Sequence, residues 1–217
     1  MKKLIALLLC LVICLSFAGC QKPETQGEKP TKQTEKPAEP TENPREALEK
    51  VLNKEANFTY KCLVFGKVTE ENLEKFMFAT EGSAINPFVP WGYTYVDLDS
   101  DGVDELVIYP LSLTYCLILR YGGERVYGYL VPQRSFVNLR TDGTFLVSGG
   151  AGINSISSMS FLDTYQDTSF VIEDIAYKDD MDGVYFLNGK ASDKETVEAY
   201  FENWDATTTN VSWGKLD

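Results

Sequence analysis

Five carboxylates fall within nine residues of one short stretch, Asp97-Leu-Asp-Ser-Asp-Gly-Val-Asp-Glu105, with strand-forming residues on either side. Acids at alternate positions, Asp97, Asp99 and Asp101, can point inward together when the backbone curls. Gly102 permits the sharp turn, Val103 can offer its carbonyl, and Glu105 returns a further carboxylate. Carboxylates about 4 Å apart repel by roughly 1 kcal/mol per pair in water and several times more near a protein surface. Four that converge therefore need a cation, or must splay into solvent. An all-oxygen donor set suits a hard divalent ion, and calcium is the expectation. Two other readings use the same residues: a solvated acidic turn, since Asp and Gly are ordinary turn formers, and a catalytic role for the carboxylates.

The spacing matches the first nine positions of a calcium loop, D-x-D-x-D-G-x-x-E. The twelfth position, where an EF-hand places its bidentate Glu, is Ile108, and the flanks Tyr93-Thr-Tyr-Val96 and Leu106-Val-Ile-Tyr109 are strand-like. An EF-hand in the strict sense is therefore excluded. The stretch resembles the nine-residue calcium loops of FG-GAP-type β-propeller repeats, although this chain carries one copy where a propeller needs several. The resemblance implies as ligands the side chains of Asp97, Asp99, Asp101 and Glu105 and the carbonyl of Val103, with Asp104 pointing away. Extracellular calcium modules bind at about 10⁻⁴ to 10⁻³ M, a range that suits a structural staple.

The chain has no histidine. Ser-His-Asp and Cys-His nucleophile chemistry and imidazole zinc sites are thereby excluded. Of five cysteines, Cys10 and Cys14 lie in an apolar leader, Cys20 follows it, and Cys62 and Cys116 sit in apolar, strand-like runs. That last pair suits either a disulfide or two buried thiols. Two thiols cannot build a thiolate zinc site. The formal net charge is −12, and it becomes −14 if Lys2 and Lys3 leave with a signal segment. Such a surface repels nucleic acid and anionic lipid, and favours cations or basic partners.

Other stretches carry weaker chemistry. Ser148-Gly-Gly-Ala-Gly152 lacks the Lys-Ser/Thr of a phosphate loop and reads as a bulge or flexible loop. Asn86-Pro-Phe-Val-Pro-Trp-Gly-Tyr-Thr-Tyr95 holds four aromatics beside two prolines. It can stack on a sugar or peptide, or pack over a sheet edge. Scattered Asp and Glu can supply an acid/base pair for glycoside hydrolysis, but no spacing singles out two of them.

The elements that must hold the acidic loop follow from pattern. Residues 1–19 have a basic start at Lys2-Lys3, an apolar run from Leu4 to Leu15 and small residues after it, as a secretory signal does. Leu15-Ser-Phe-Ala-Gly-Cys20 resembles a bacterial lipobox, which implies lipidation of Cys20; ordinary cleavage after Ala18 is the competing reading. A lipid there anchors a protein to the outer face of the cytoplasmic membrane without spanning it. Residues 20–43, with four prolines and no large apolar side chain, read as a disordered tether. The globular domain is expected over 44–217.

Within it, Asn43-Pro44 with Leu48, Val51 and Leu52 predicts a helix over 44–56. Leu73, Phe76 and Met77 predict a second from Thr69 to about Glu81, with Gly82 as its stop. Ser192 and Glu195, with Val197, Tyr200, Phe201 and Trp204, predict a third over 192–204. Runs rich in Val, Ile, Tyr and Phe, punctuated by Gly122-Gly123, Asp142-Gly143, Asp182-Gly183 and Asn188-Gly189, predict strands near 92–98, 104–109, 114–121, 125–131, 144–148, 155–162, 170–177, 183–188 and 210–214. No internal repeat is visible. The expected fold class is α+β: a single domain with one twisted antiparallel β-meander sheet flanked by about three helices.

Beyond the loop, Tyr95–Val107, Leu117-Ile-Leu-Arg-Tyr-Gly-Gly-Glu-Arg-Val-Tyr-Gly-Tyr129, Asp142-Gly-Thr-Phe-Leu-Val-Ser-Gly-Gly-Ala151 and the closing Asn188-Gly-helix pattern resemble exported lipoproteins of Gram-positive, clostridia-like bacteria. The resemblance implies an address and a fold more than a mechanism. The expected function is a cell-surface lipoprotein with one structural calcium site, without enzymatic activity, meeting an extracellular protein or glycan and no nucleic acid. The alternative is an envelope-associated hydrolase, glycan-acting and dependent on paired carboxylates.

Overall fold

Asn43 starts the ordered elements: its side chain accepts the Arg45 amide at 2.9 Å, and Pro44 takes the first position of helix α1, Pro44–Leu52. In the computed structural model the described residues are 42–61, 68–81, 90–110, 115–164 and 167–216. They fall within one compact unit, Glu39–Asp217. The leader, Cys20, most of the tether, Cys62, Gly82 and residues 86–89 lie outside them. Helix α1 stops short of residue 56 because Lys54 turns to φ +68, and the Glu55 amide closes back on the Lys50 carbonyl at 2.8 Å.

Two strands follow that the sequence did not announce, β1 (Asn57–Lys61) and β2 (Val68–Asn72), paired antiparallel from Asn57↔Asn72 to Lys61↔Val68. Glu70, Glu71 and Asn72 are poor strand formers, so this stretch reads as the first turn of the next helix. Pairing with Phe58 and Tyr60 overrides that local preference. Helix α2 therefore begins at Leu73 and runs to Glu81, with Asn72 Oδ1 accepting the Lys75 amide at 2.8 Å.

The remaining strands are β3 (Pro90–Val96), β4 (Glu105–Pro110), β5 (Tyr115–Tyr121), β6 (Val126–Pro132), β7 (Phe145–Gly150), β8 (Ile153–Thr164), β9 (Asp167–Asp179), β10 (Val184–Leu187) and β11 (Lys190–Ala191). Helix α3, Lys194–Thr207, closes the order and is capped by Asp193, not Ser192: Asp193 Oδ1 accepts the Thr196 amide at 2.8 Å. The 210–214 segment contributes isolated bridges, Arg140↔Asn210 and Tyr93↔Gly214, rather than a strand.

The fold is α+β and mainly β, with three α-helices among the described residues. The expectation of one antiparallel sheet is corrected. There are two sheets, ordered β2-β1-β6-β5-β4-β3 and β11-β10-β9-β8-β7. One pairing, β1 with β6 at Thr59↔Tyr127 and Tyr60↔Gly128, is parallel. A long stretch of chain separates those two strands, which is what a parallel neighbour requires. The break between sheets comes after β6, where a single 3₁₀ turn, Gln133–Ser135, and an irregular stretch carry the chain away before β7.

The layering explains the apolar runs of β4 and β5. One face of the first sheet, with Leu106, Ile108, Leu117 and Leu119, packs on Leu48 and Val51 of α1 and on Leu73 and Phe76 of α2. The other, with Val96, Val107, Cys116, Ile118 and Tyr129, meets Phe145 and Met159 of the second sheet. Strands covered on both faces lose polar alternation. The far side of the second sheet holds Ile156 and Ala176 against Trp204 of α3. Cys116 is a free thiol and wholly buried, and burial pushes its pKa up. Among the described residues no helix is long and apolar enough to cross a membrane.

Candidate metal centre

The acidic stretch is the connection between β3 and β4, which pair from Gly92↔Tyr109 to Val96↔Glu105. Its two ends are therefore fixed by a ladder, and the loop between them must reverse within eight residues. Ser100 at φ +61 and Gly102 at φ +86 make the reversal. Val96 and Leu98 turn into the core, and Glu105, directly opposite Val96 in the ladder, shares its face. The curl of the loop beyond the ladder brings Asp97 and Asp99 to that carboxyl group.

Three of the five predicted metal-site residues are brought together by their side chains. Carboxylate oxygens of Asp97, Asp99 and Glu105 lie within 4.8 Å of one another. Oxygens on opposite sides of a calcium ion at 2.3–2.6 Å stand about 5 Å apart, so this spread fits one ion. Asp97 is further oriented by backbone amides: its two oxygens accept Asp101 N at 3.2 Å and Gly102 N at 2.9 Å. Asp101 is not in the group. Its Oδ1 accepts the Val103 amide at 2.8 Å, and its Oδ2 takes a 2.8 Å hydrogen bond from Arg120. Asp104 turns the other way, 3.6 Å from Arg45 of α1, whose guanidinium lies over the Tyr95 ring at 3.0 Å.

Glu105 is the unusual member. It is wholly buried, at 0 % exposure. Its Oε2 accepts the Leu98 amide at 2.9 Å, which closes the loop from inside. Its Oε1 lies 3.3 Å from Arg120 Nε but accepts no hydrogen bond. Removal from water, with Asp99 and Asp101 adding repulsion, outweighs the Leu98 amide and Arg120 and raises the Glu105 pKa from 4.5 to about 8. Burial raises Asp99 too, against the pull of Arg120.

Arg120, on β5, was not singled out by sequence. Its guanidinium reaches Asp99 at 3.3 Å, Asp101 at 2.8 Å and Glu105 at 3.3 Å, and stands 5.3 Å from the Phe161 ring. A signal existed: a single charge inside the apolar run Cys116-Leu-Ile-Leu-Arg-Tyr121 needs a carboxylate partner. A second missed contributor is Gly143, at φ +79. A Cβ there would stand 2.3 Å from the Asp97 carbonyl oxygen, so the Asp142-Gly143 turn backs directly onto the loop.

Comparison with known proteins gives no match. No family model, no curated protein and no solved structure is significantly similar to this chain.

The other candidate stretches build little. Ser148–Gly150 carries a register shift against β8, which makes it a β-bulge. In the aromatic stretch, Tyr93 and Tyr95 meet edge to face at 6.0 Å, and the Tyr93 backbone pairs with Gly214. A cavity of about 290 Å³, lined by Asn43 to Arg45 and Gly102 to Asp104, contains one acid; another of about 390 Å³, between Tyr177, Val184 and Phe186, also contains one, Asp174. Neither brings two carboxylates face to face.

Proposed function

We propose that this chain is a cell-surface lipoprotein, held on the outer face of the cytoplasmic membrane by a lipid on Cys20, whose domain is stapled by one structural calcium ion. The ion's ligands are the side chains of Asp97, Asp99, Asp101 and Glu105 and the carbonyl of Val103. The role is non-enzymatic, toward an extracellular protein or glycan.

The observation that carries the metal reading is the buried Glu105. Glu105 at 0 % exposure beside Asp97 and Asp99, with Oε1 facing the Arg120 guanidinium at 3.3 Å but accepting no hydrogen bond, leaves an oxygen lone pair for a divalent cation. Arg120 is a single positive charge set among four acids, so the cluster still favours a divalent ion. The alternative, a hydrolase on paired carboxylates, draws on the Glu105 pKa of about 8, which is that of a general acid. Full burial opposes it, because a substrate oxygen must come within about 3 Å of the proton it takes. Titration calorimetry of the full chain with calcium chloride tests the metal reading, with Asp99→Ala as the control that should not bind. Fatty-acid labelling of wild type against Cys20→Ala tests the anchor.

A further inference from the structure

We infer that Arg120 sets the ion affinity of the acidic loop by competing with calcium for its carboxylates. The inference rests on the calcium reading and adds a residue that opposes the ion.

Its basis is where the guanidinium sits. Arg120 Nη2 donates to Asp101 Oδ2 at 2.8 Å and stands 3.3 Å from Asp99 Oδ2, while Nε stands 3.3 Å from Glu105 Oε1. One side chain on β5 thus covers three of the four carboxylates that the ion would use. Asp101, the acid it holds most closely, is the one that stands apart from the Asp97, Asp99 and Glu105 group. An Arg fork is rigid and directional, so it fixes an acid where a Lys would only attract it.

Calcium and the guanidinium cannot both take Asp101 Oδ2 and Glu105 Oε1 at contact distance. When the ion binds, the Arg120–Asp101 hydrogen bond opens and Asp101 swings to join the shell. The guanidinium keeps a second neighbour, the Phe161 ring at 5.3 Å, as a face on which it can remain. The arrangement serves two states: Arg120 holds the loop together without the ion, and its loss to the ion weakens binding. A site tuned this way responds to external calcium over a higher range than its acid count alone would give.

The test is calorimetric titration of calcium chloride into the full chain as wild type, Arg120→Met, Arg120→Lys and Asp99→Ala, with circular dichroism of each. Removing a positive charge within a few ångströms of a divalent ion should tighten binding by about tenfold or more. Arg120→Lys keeps the charge but cannot span three acids, and should fall between. If Arg120→Met does not fold, the Lys variant still decides. Tighter binding by the Arg120 variants, or binding by one of them where wild type shows none, supports the inference. Wild-type binding with unchanged or weaker binding in the Arg120 variants overturns it and leaves the calcium reading standing, with Asp99→Ala as the non-binding control. No binding by wild type or by either Arg120 variant removes the calcium reading and this inference together.

Discussion

The Leu98 amide donates to Glu105 Oε2 at 2.9 Å, across seven residues and wholly inside the protein. This bond ties the loop's second residue to its last, so the acids between them are presented by a closed ring of backbone. Asp97 and Asp99 then stand on the same side as the Glu105 carboxylate. The loop is a built feature of the β3–β4 hairpin, held at its mouth by a buried carboxyl group.

That carboxyl group makes the protein's stability depend on pH. Burial sets the Glu105 pKa at about 8 in the folded state, above the ordinary 4.5. The folded chain then binds the proton more tightly than the unfolded chain. This contribution to stability is full below about pH 4.5 and is lost as pH rises through about pH 8. In chelator the melting temperature should fall across that window. Glu105→Gln keeps an acceptor for Leu98 without the charge and should flatten that part of the slope. Calcium takes the ionised form, so its binding should expel a proton below about pH 8 and tighten as pH rises. Equal slopes for wild type and Glu105→Gln would contradict this.

The turn behind the loop should matter as much as the loop's own glycine. A methyl on Gly143 meets the Asp97 carbonyl oxygen at 2.3 Å with φ at +79, whereas a methyl on Gly102, φ +86, meets nothing within 4 Å. Gly102→Ala should cost about 1 kcal/mol from backbone strain alone. Gly143→Ala adds a backbone clash and should cost about 2–3 kcal/mol. Urea unfolding in chelator measures both. A smaller loss at Gly143 would mean that the turn does not buttress the loop.

Helix α3 is pinned to the same turn. Trp204 Nε1 donates to Thr144 Oγ1 at 2.8 Å, and Thr144 Oγ1 donates to Asp142 Oδ1 at 2.6 Å. Arg140 lies over the Trp204 ring at 4.3 Å and pairs with Asp205. Trp204→Phe removes the hydrogen bond and leaves most of the ring; it should cost about 1 kcal/mol, against about 3–5 kcal/mol for Trp204→Ala. Equal losses in urea unfolding would show that the hydrogen bond, not packing on Ile156 and Ala176, holds the helix.

How far the sequence reached depended on how local each feature is. The acidic loop was legible because its acids, its glycine and its strand flanks are contiguous. Arg120 and Gly143 were not, because strand pairing and sheet packing alone bring them to the loop. The helix starts near Asn43 and Asp193 were visible within a residue or so from capping chemistry. The β1–β2 hairpin was hidden by acids that favour a helical turn. The division into two sheets was hidden for another reason. Tight turns say which strands are neighbours, but nothing in the run from Gln133 to Thr144 states that the chain has left one sheet for another.

Calcium bound at the loop should stabilise the domain against heat. The full chain is melted in 1 mM calcium and again in chelator, beside Asp99→Ala. A dissociation constant of about 10⁻⁴ M gives a stabilisation of about 1.4 kcal/mol at that concentration. For a domain of this size that raises the melting temperature by about 3–6 °C. Wild type should show that shift, and Asp99→Ala should lose it. No shift in wild type, with Asp99→Ala melting like wild type in calcium, would contradict calcium binding at the loop.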